Sequence, residues 1–180
     1  MTNPDEHAAP VTDNTIDACL KNIQGQIAHR LLACRESLAA LAPTRIAVVY
    51  DADSTTLFPL ALGVLTADAE TRCRARIRSQ ADLELLWNPA EFTHYATPEL
   101  LLYVDDASAD LMDQTLHSGA VAFDAVRHTL SSACALANVS LLPHCCFAYA
   151  TDPELADIRT NCAQIPNLPT AHLAQMPDWF

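Results

Sequence analysis

The sequence predicts an α+β domain in which several helices pack on a small, mainly antiparallel sheet. Three observations support this class. Apolar residues recur at helical spacing over residues 16–41, two apolar runs lie close together within residues 46–65, and 51% of the 180 residues are hydrophobic. The short link between the two runs favours a hairpin over a parallel crossover, and the apolar content is sufficient for one buried core.

The chain begins with a polar segment that leads into a long helix. Residues 1–13 are polar and contain two prolines, so we expect them to be flexible, whereas residues 14–180 are expected to form a single α+β domain. Pro43 ends the helix, because the residue before a proline avoids the helical conformation. One face of this helix carries apolar residues at steps of three and four, namely Ile16, Cys19, Leu20, Ile23, Ile27, Leu31, Cys34, Leu38 and Leu41.

A hairpin and a second helix follow. Ile46–Tyr50 is β-branched and apolar, and it is separated from the apolar run Leu57–Leu65 by the polar residues Asp51–Thr56. Two strands joined this closely pair in antiparallel fashion. Thr66 then has the position of an N-cap for a helix over residues 67–78.

The second half of the chain contains further helices and one strand. Thr97–Glu99 has the N-cap residue, proline and early acid of a helix start, but the apolar run Leu100–Val104 also fits a buried strand, and the sequence leaves both open. Apolar spacing beyond this point predicts a helix over residues 120–138, a strand over 145–149 and a short helix over 153–161.

The charge of the chain is strongly negative and unevenly distributed. The formal net charge is -12, and residues 81–180 alone hold 13 acidic and two basic side chains. Nucleic acid and anionic membrane surfaces are therefore excluded as expected partners, because phosphate binding requires clustered cations. An acidic surface of this kind either keeps the chain soluble or accelerates its association with a basic protein.

The location of the protein and the state of its cysteines are also predicted. Residues 1–7 have no basic segment followed by an apolar one, and no later stretch has the roughly 18 apolar residues of a membrane span, so we expect a cytoplasmic protein. The seven cysteines are expected to be reduced thiols that pack as small hydrophobes. A zinc site that combines His144–Cys146 with His128 and Cys134 is the less favoured alternative.

An apolar strand that ends in Asp51-Ala-Asp53-Ser-Thr55 is the feature most typical of an enzyme. It resembles the first motif of haloacid-dehalogenase phosphatases, in which the first aspartate attacks phosphorus and the second acts as acid and base. The segment Asp105-Asp106-Ala-Ser-Ala-Asp110 resembles the metal-binding motif of the same family. This resemblance implies a Mg²⁺-dependent hydrolase with Asp51 and Asp53 as catalytic residues and Asp51, Asp53, Asp106 and Asp110 as metal ligands.

The preferred interpretation of Asp51 and Asp53 is a polar turn between hairpin strands, held by local backbone hydrogen bonds. The phosphatase family requires a basic residue near the phosphoaspartate, and the only lysine of the chain, Lys21, lies upstream. About fifty residues between the two acidic motifs also leave too little room for the usual βαβ units. We therefore expect no catalytic residues, no metal and no cofactor, with Mg²⁺ as the alternative.

The segment Trp87-Asn-Pro-Ala-Glu91-Phe92 resembles the W-[ST]-P-A-E-W signature of a bacterial family known as domain of unknown function 4303. The order of the preceding elements, and later Phe147–Asp152 followed by Asn161, are also similar to that family. Asn88 and Phe92 are departures from the usual signature.

The resemblance implies a non-enzymatic immunity protein that neutralises a bacterial toxin domain by covering its active site. Its partner would be a basic toxin domain, which agrees with the acidic second half of the chain. Trp87 and Glu91 either face this partner or hold the loop together, and the sequence leaves both open. The candidate partner-binding or signature residues are Trp87, Pro89, Glu91, Asp105, Asp106 and Asp152.

Overall fold

The computed structural model describes residues 12–180 and contains six α-helices and five strands in this range. The helices are α1 (Asp13–Ser37), α2 (Ala67–Arg76), α3 (Asp106–His117), α4 (Phe123–Leu141), α5 (Ile158–Ala163) and α6 (Thr170–Leu173). The strands are β1 (Pro43–Val49), β2 (Leu60–Thr66), β3 (His94–Tyr95), β4 (Leu101–Leu102) and β5 (Phe147–Thr151). Short 3₁₀ turns connect several of these elements.

The five strands form one mixed sheet with the order β3-β2-β1-β5, and β4 also pairs with β2. Strand β2 is antiparallel to β1, β3 and β4, with Ile46 opposite Val64 in the central hairpin. The predicted α+β class and the antiparallel hairpin are therefore confirmed. Strand β5 runs parallel to β1, because the chain returns to the sheet through α3 and α4.

The helices cover the sheet and enclose one hydrophobic core. Helix α1 packs on α4, and α4 packs on β5. The face of α1 that lies in this core was predicted from its spacing, and it buries Ile16, Cys19, Ile23, Ile27 and Leu31. The predicted continuation of the helix to Leu41 is wrong. The α-helix ends at Ser37, a 3₁₀ turn follows, and Leu41 is 43% exposed.

Helix α2 begins where the sequence predicts it. The Thr66 hydroxyl accepts a hydrogen bond of 3.3 Å from the backbone N–H of Ala69, as an N-cap residue does. The helix ends at Arg76, two residues earlier than predicted, because Ile77 has an extended backbone.

Between β2 and α3, the segment 97–104 adopts neither of the two predicted structures over its whole length. Pro98–Leu100 is a single 3₁₀ turn, Leu101–Leu102 is the short strand β4, and α3 starts only at Asp106. The predicted strand 145–149 is shifted to 147–151, since Cys145 has a left-handed backbone with a φ of 56° that a strand cannot contain.

The described part of the chain begins just before α1. The sequence predicts a flexible segment over residues 1–13. Residues 1–11 lie outside the described residues, and α1 already begins at Asp13. Among residues 12–180, none of the helices has the length and apolar content that crossing a bilayer requires.

Candidate functional site

Trp87, the first residue of the signature segment Trp87–Phe92, lies in the centre of the core. Its side chain is 0% exposed, and its indole N–H donates a hydrogen bond of 3.1 Å to the carbonyl of Gln175. The Tyr149 hydroxyl donates to the Trp87 carbonyl at 2.6 Å, and the Tyr149 and Phe147 rings both contact the indole. Of the two roles that the sequence leaves open for Trp87, this geometry supports the structural one.

The indole of Trp87 packs against a buried cation that the sequence analysis missed. The Arg45 guanidinium lies 4.8 Å from the centre of the Trp87 ring, and it donates a hydrogen bond of 2.7 Å to the Leu86 carbonyl. Glu70 lies 3.4 Å away as its counter-ion. Burial lowers the pKa of Arg45, and the negative charge of Glu70 opposes this change. Arg45, the residue before the apolar run Ile46–Tyr50, thus belongs to the core, which the strand pattern alone did not indicate.

The rest of the signature segment is fixed on β2. Pro89 is buried against Gly63, where an added Cβ would lie only 2.7 Å from the Pro89 Cβ. The Asn88 side chain accepts a hydrogen bond from the Ala90 N–H at 3.0 Å. Ala90 and Glu91 are exposed, and the Glu91 carboxylate accepts no hydrogen bond within residues 12–180. Trp87 and Pro89 are covered within the chain, which agrees with the structural one of the two roles left open by the sequence, and the partner-facing role stays a prediction for Glu91.

Asp152 is also occupied within the chain. Its carboxylate accepts hydrogen bonds from the backbone N–H groups of Glu154, Ala156 and Asp157, at 3.2, 3.1 and 2.8 Å. These bonds fix the turn between β5 and α5. Three backbone donors thus give this half-buried carboxylate a structural role, and its role in partner binding stays a prediction.

A polar network next to this turn joins the ends of the two parallel strands. Asn161 donates a hydrogen bond of 2.8 Å to the Tyr50 hydroxyl, and Tyr50 in turn donates to Asp157 at 3.1 Å. Burial is the main reason that the pKa of Tyr50 is raised. The asparagine that resembles the family's late Asn therefore holds β1 and α5 together.

Asp105 connects α3 to α1. As the N-cap of α3 it accepts hydrogen bonds from the backbone N–H and the hydroxyl of Ser108, at 3.0 and 2.9 Å. The side chains of Gln26 and Asn22 on α1 also donate to it. The hydrogen bond from Gln26, followed by those from Ser108, lowers the pKa of Asp105 to about 2. Asp105 therefore links two helices, and because it is also exposed, its role in partner binding stays a prediction.

Asp51 forms the polar turn that the sequence favours. One oxygen of its carboxylate accepts a hydrogen bond of 2.9 Å from the backbone N–H of Asp53, and both residues are exposed. This turn is held against α3, since the N–H of Leu57 donates to Asp113 at 2.9 Å. The interpretation of Asp51 as a hairpin-turn residue is confirmed.

An acidic surface results from the contact between this turn and α3. Asp106, Asp110 and Asp113 are spaced by four and three residues, which places them on one side of the helix. Asp51 and Asp53 lie on the adjoining turn. We call these five residues, Asp51, Asp53, Asp106, Asp110 and Asp113, the acidic face. Asp113 was not among the predicted site residues, although its spacing from Asp106 and Asp110 is visible in the sequence.

The predicted magnesium site is not assembled. Among residues 12–180 there is no group of three or more His, Cys, Asp or Glu side chains that could hold a metal ion. The turn contacts α3 at Asp113, seven residues beyond Asp106, which is roughly 10 Å along a helix that rises about 1.5 Å per residue. Asp51 and Asp53 therefore do not form one ligand set with Asp106 and Asp110. The strand β1 also continues into an antiparallel strand, unlike the parallel crossover of the phosphatase fold.

The cysteines do not form a metal site either. The same absence of a metal-binding group in residues 12–180 applies to His144–Cys146, His128 and Cys134. Five of the seven free thiols are buried, as predicted, and Cys145 is the exposed exception. Burial raises the pKa of Cys162 to about 12, so this thiol stays protonated and poorly nucleophilic at neutral pH.

A cleft of about 290 Å³ lies beside the acidic face. The turn, the C-terminal half of α3 and the start of α4 enclose it. Asp51, Thr55, Asp113 and His117 contribute polar groups, and Leu57, Leu116, Val121 and Phe123 contribute apolar surface. Sequence reasoning missed this cleft, because its walls come from three segments whose packing is not visible in local patterns.

Comparisons with known proteins found no match. No protein-family model matches the chain, and searches of curated proteins and of solved structures found no similar protein. The resemblance of Trp87–Phe92 to the domain of unknown function 4303 therefore stays a prediction.

Proposed function

We propose that this chain is a non-enzymatic, cytoplasmic immunity protein whose acidic face binds a basic bacterial toxin domain. The observation that carries the proposal is the grouping of five aspartates without ion pairs on this face. Within residues 12–180, salt bridges engage only the acids Asp68, Glu70, Asp124 and Asp157, so the charge of the acidic face is not neutralised within the chain.

The spacing of these aspartates has a cost in stability. Asp106 and Asp110 are four residues apart on α3, and Asp113 follows three residues later. Like charges at these spacings destabilise a helix by about 0.2–0.5 kcal/mol per pair. A partner that brings cations to this side of α3 removes the repulsion between the aspartates. Relief of this repulsion then contributes favourably to the free energy of binding. Binding of a basic surface is the function that this arrangement favours.

Two further features support binding rather than catalysis. The carboxylate of Asp51 is engaged in its own turn, and the buried thiol of Cys162 has a raised pKa. The resemblance of Trp87–Phe92 to a family of immunity proteins supplies the toxin as the partner, and the 13 acids and two bases of residues 81–180 agree with a basic one.

The proposal is tested with the secreted toxin expected from the neighbouring gene. Its toxic domain is produced in bacteria together with this chain, and growth is measured. Asp106→Asn combined with Asp110→Asn is expected to reduce protection. The matched control, Glu154→Gln with Asp178→Asn, changes the net charge equally but alters exposed acids outside the acidic face. Equal protection by both double variants would contradict the proposal.

Binding kinetics provide a second measurement for the same pair. Raising the salt concentration from 0.1 M to 1 M shortens the Debye length from about 10 Å to about 3 Å, so we expect the association rate to fall far more than the dissociation rate rises. An association rate that does not depend on salt would assign the negative charge to solubility alone.

A further inference from the structure

We propose that the cleft beside the acidic face is a socket for one arginine side chain of a basic protein partner. This inference rests on the proposed function and adds to it the residue type that the partner inserts. It derives from the size of the cleft, the unused carboxylate oxygens of two residues that line it and its apolar lining.

The two carboxylates that line the cleft are held in place by their own hydrogen bonds. One oxygen of Asp51 accepts from the Asp53 N–H, and one oxygen of Asp113 accepts from the Leu57 N–H, each at 2.9 Å. Within residues 12–180, the second oxygen of each group accepts no hydrogen bond, and neither group has a salt-bridge partner. The cleft therefore presents two fixed, unpaired acceptors with a charge of −1 each.

The inner surface of the cleft is suited to an aliphatic stem and a flat cation. Leu57, Leu116 and Val121 can cover the methylene groups of an inserted side chain, while its charged end contacts Asp51 and Asp113, which line the same cleft. Phe123 adds an aromatic ring, on which a guanidinium stacks favourably. A planar guanidinium with five N–H donors can reach two separate carboxylates, which favours arginine over the point charge of lysine.

The size and charge of the cleft exclude other occupants. Its volume of about 290 Å³ lies just below the roughly 300–1,000 Å³ of small-molecule sites, so it fits a side chain better than a nucleotide or cofactor. Anionic groups are repelled by Asp51 and Asp113. A divalent cation would lack ligands, because no three metal-binding side chains converge within residues 12–180.

The experiment uses N-acetyl-L-arginine amide as the probe and N-acetyl-L-citrulline amide, its neutral isostere, as the control. Each is titrated into the full chain labelled with ¹⁵N, and backbone amide shifts are followed by NMR. We expect saturable shifts for the arginine compound at Leu57 and His117, with millimolar affinity, and none for the citrulline compound. Saturable binding of both compounds with equal affinity would overturn the socket.

Two variants locate the binding. Asp113→Asn keeps an acceptor for the Leu57 N–H but removes the charge, and loss of a charge-assisted hydrogen bond is expected to weaken arginine binding by about tenfold. Ala52→Trp places a large side chain from an exposed position at the cleft and is expected to abolish binding. The control Glu154→Gln removes one negative charge outside the acidic face and is expected to change affinity by less than about twofold.

The outcomes separate this inference from the proposed function. If arginine binding is absent, or is unchanged in Ala52→Trp, the socket is refuted. If the Asp106→Asn and Asp110→Asn double variant still loses protection against the toxin in that case, the acidic face remains the binding surface. If protection is also unchanged, both proposals fail.

Discussion

Replacement of Trp87 by alanine is expected to destabilise the fold rather than to act on a binding surface. Truncation of a buried aromatic residue typically costs about 3–5 kcal/mol. Among residues 12–180 Trp87 is the largest fully buried side chain, and its loss also leaves the Gln175 carbonyl without its N–H donor and the Arg45 guanidinium without one of the two rings that cover it. We therefore expect a loss of about 5 kcal/mol, near the upper end of this range.

The assay is equilibrium unfolding in urea, followed by far-UV circular dichroism, because the substitution removes a fluorophore. Trp179, which is 57% exposed, provides the matched control, and Trp179→Ala is expected to change the free energy of unfolding by less than about 0.5 kcal/mol. Total stabilities are commonly only about 5–15 kcal/mol, so a loss of this size is sufficient to unfold a domain at the lower end of that range.

Trp87→Phe keeps the prediction testable in that case. It retains a ring beside Arg45 but loses the hydrogen bond to Gln175, and we expect a folded variant that is less stable by about 1–3 kcal/mol. The reasoning is refuted if both Trp87 variants keep the stability of the unmodified chain within about 0.5 kcal/mol while binding to the toxin is lost.

Three further predictions concern pH, hydrolysis and thiols. Because hydrogen bonds lower the pKa of Asp105 to about 2 in the folded chain, its contribution to stability is complete above the ordinary value of 3.8 and is lost as the pH falls towards 2. Asp105→Asn should therefore flatten the dependence of the free energy of unfolding on pH between these values, and an unchanged slope would contradict this. We expect no hydrolysis of an aryl phosphate with Mg²⁺, whereas turnover that Asp51→Asn abolishes would restore the hydrolase alternative. Among the seven free thiols, exposed Cys145 should react first with a thiol reagent and the buried ones only after denaturation, as peptide mapping of the modified chain would show.

Elements defined by local patterns were predictable from the sequence. The buried face of α1 follows from residues spaced at three and four, and the cap at Thr66 follows from one hydroxyl at the start of a helix. The parallel pairing of β5 was not predictable in this way, since it depends on how α3 and α4 return the chain to the sheet.

The candidate site shows the same division between local and tertiary information. The turn at Asp51 was predicted because its hydrogen bond spans only two residues. Trp87 was recognised as a signature residue, but its burial depends on Arg45 and Gln175, which are distant in sequence. The spacing of Asp113 from Asp106 and Asp110 is visible in the sequence, but its hydrogen bond from the N–H of Leu57, which joins the turn to α3, is a contact that no periodicity encodes.

The parallel pairing of β1 with β5 has a consequence during synthesis on the ribosome. Arg45 and Phe147 are paired in register although they are about a hundred residues apart, so the open edge of β1 emerges long before its neighbour. Until then the apolar residues Ile46–Val49 offer unpaired backbone groups that other nascent chains can bind. The last third of the polypeptide thus acts as the cover for a strand made in the first third, and chains that stop before residue 147 are expected to aggregate.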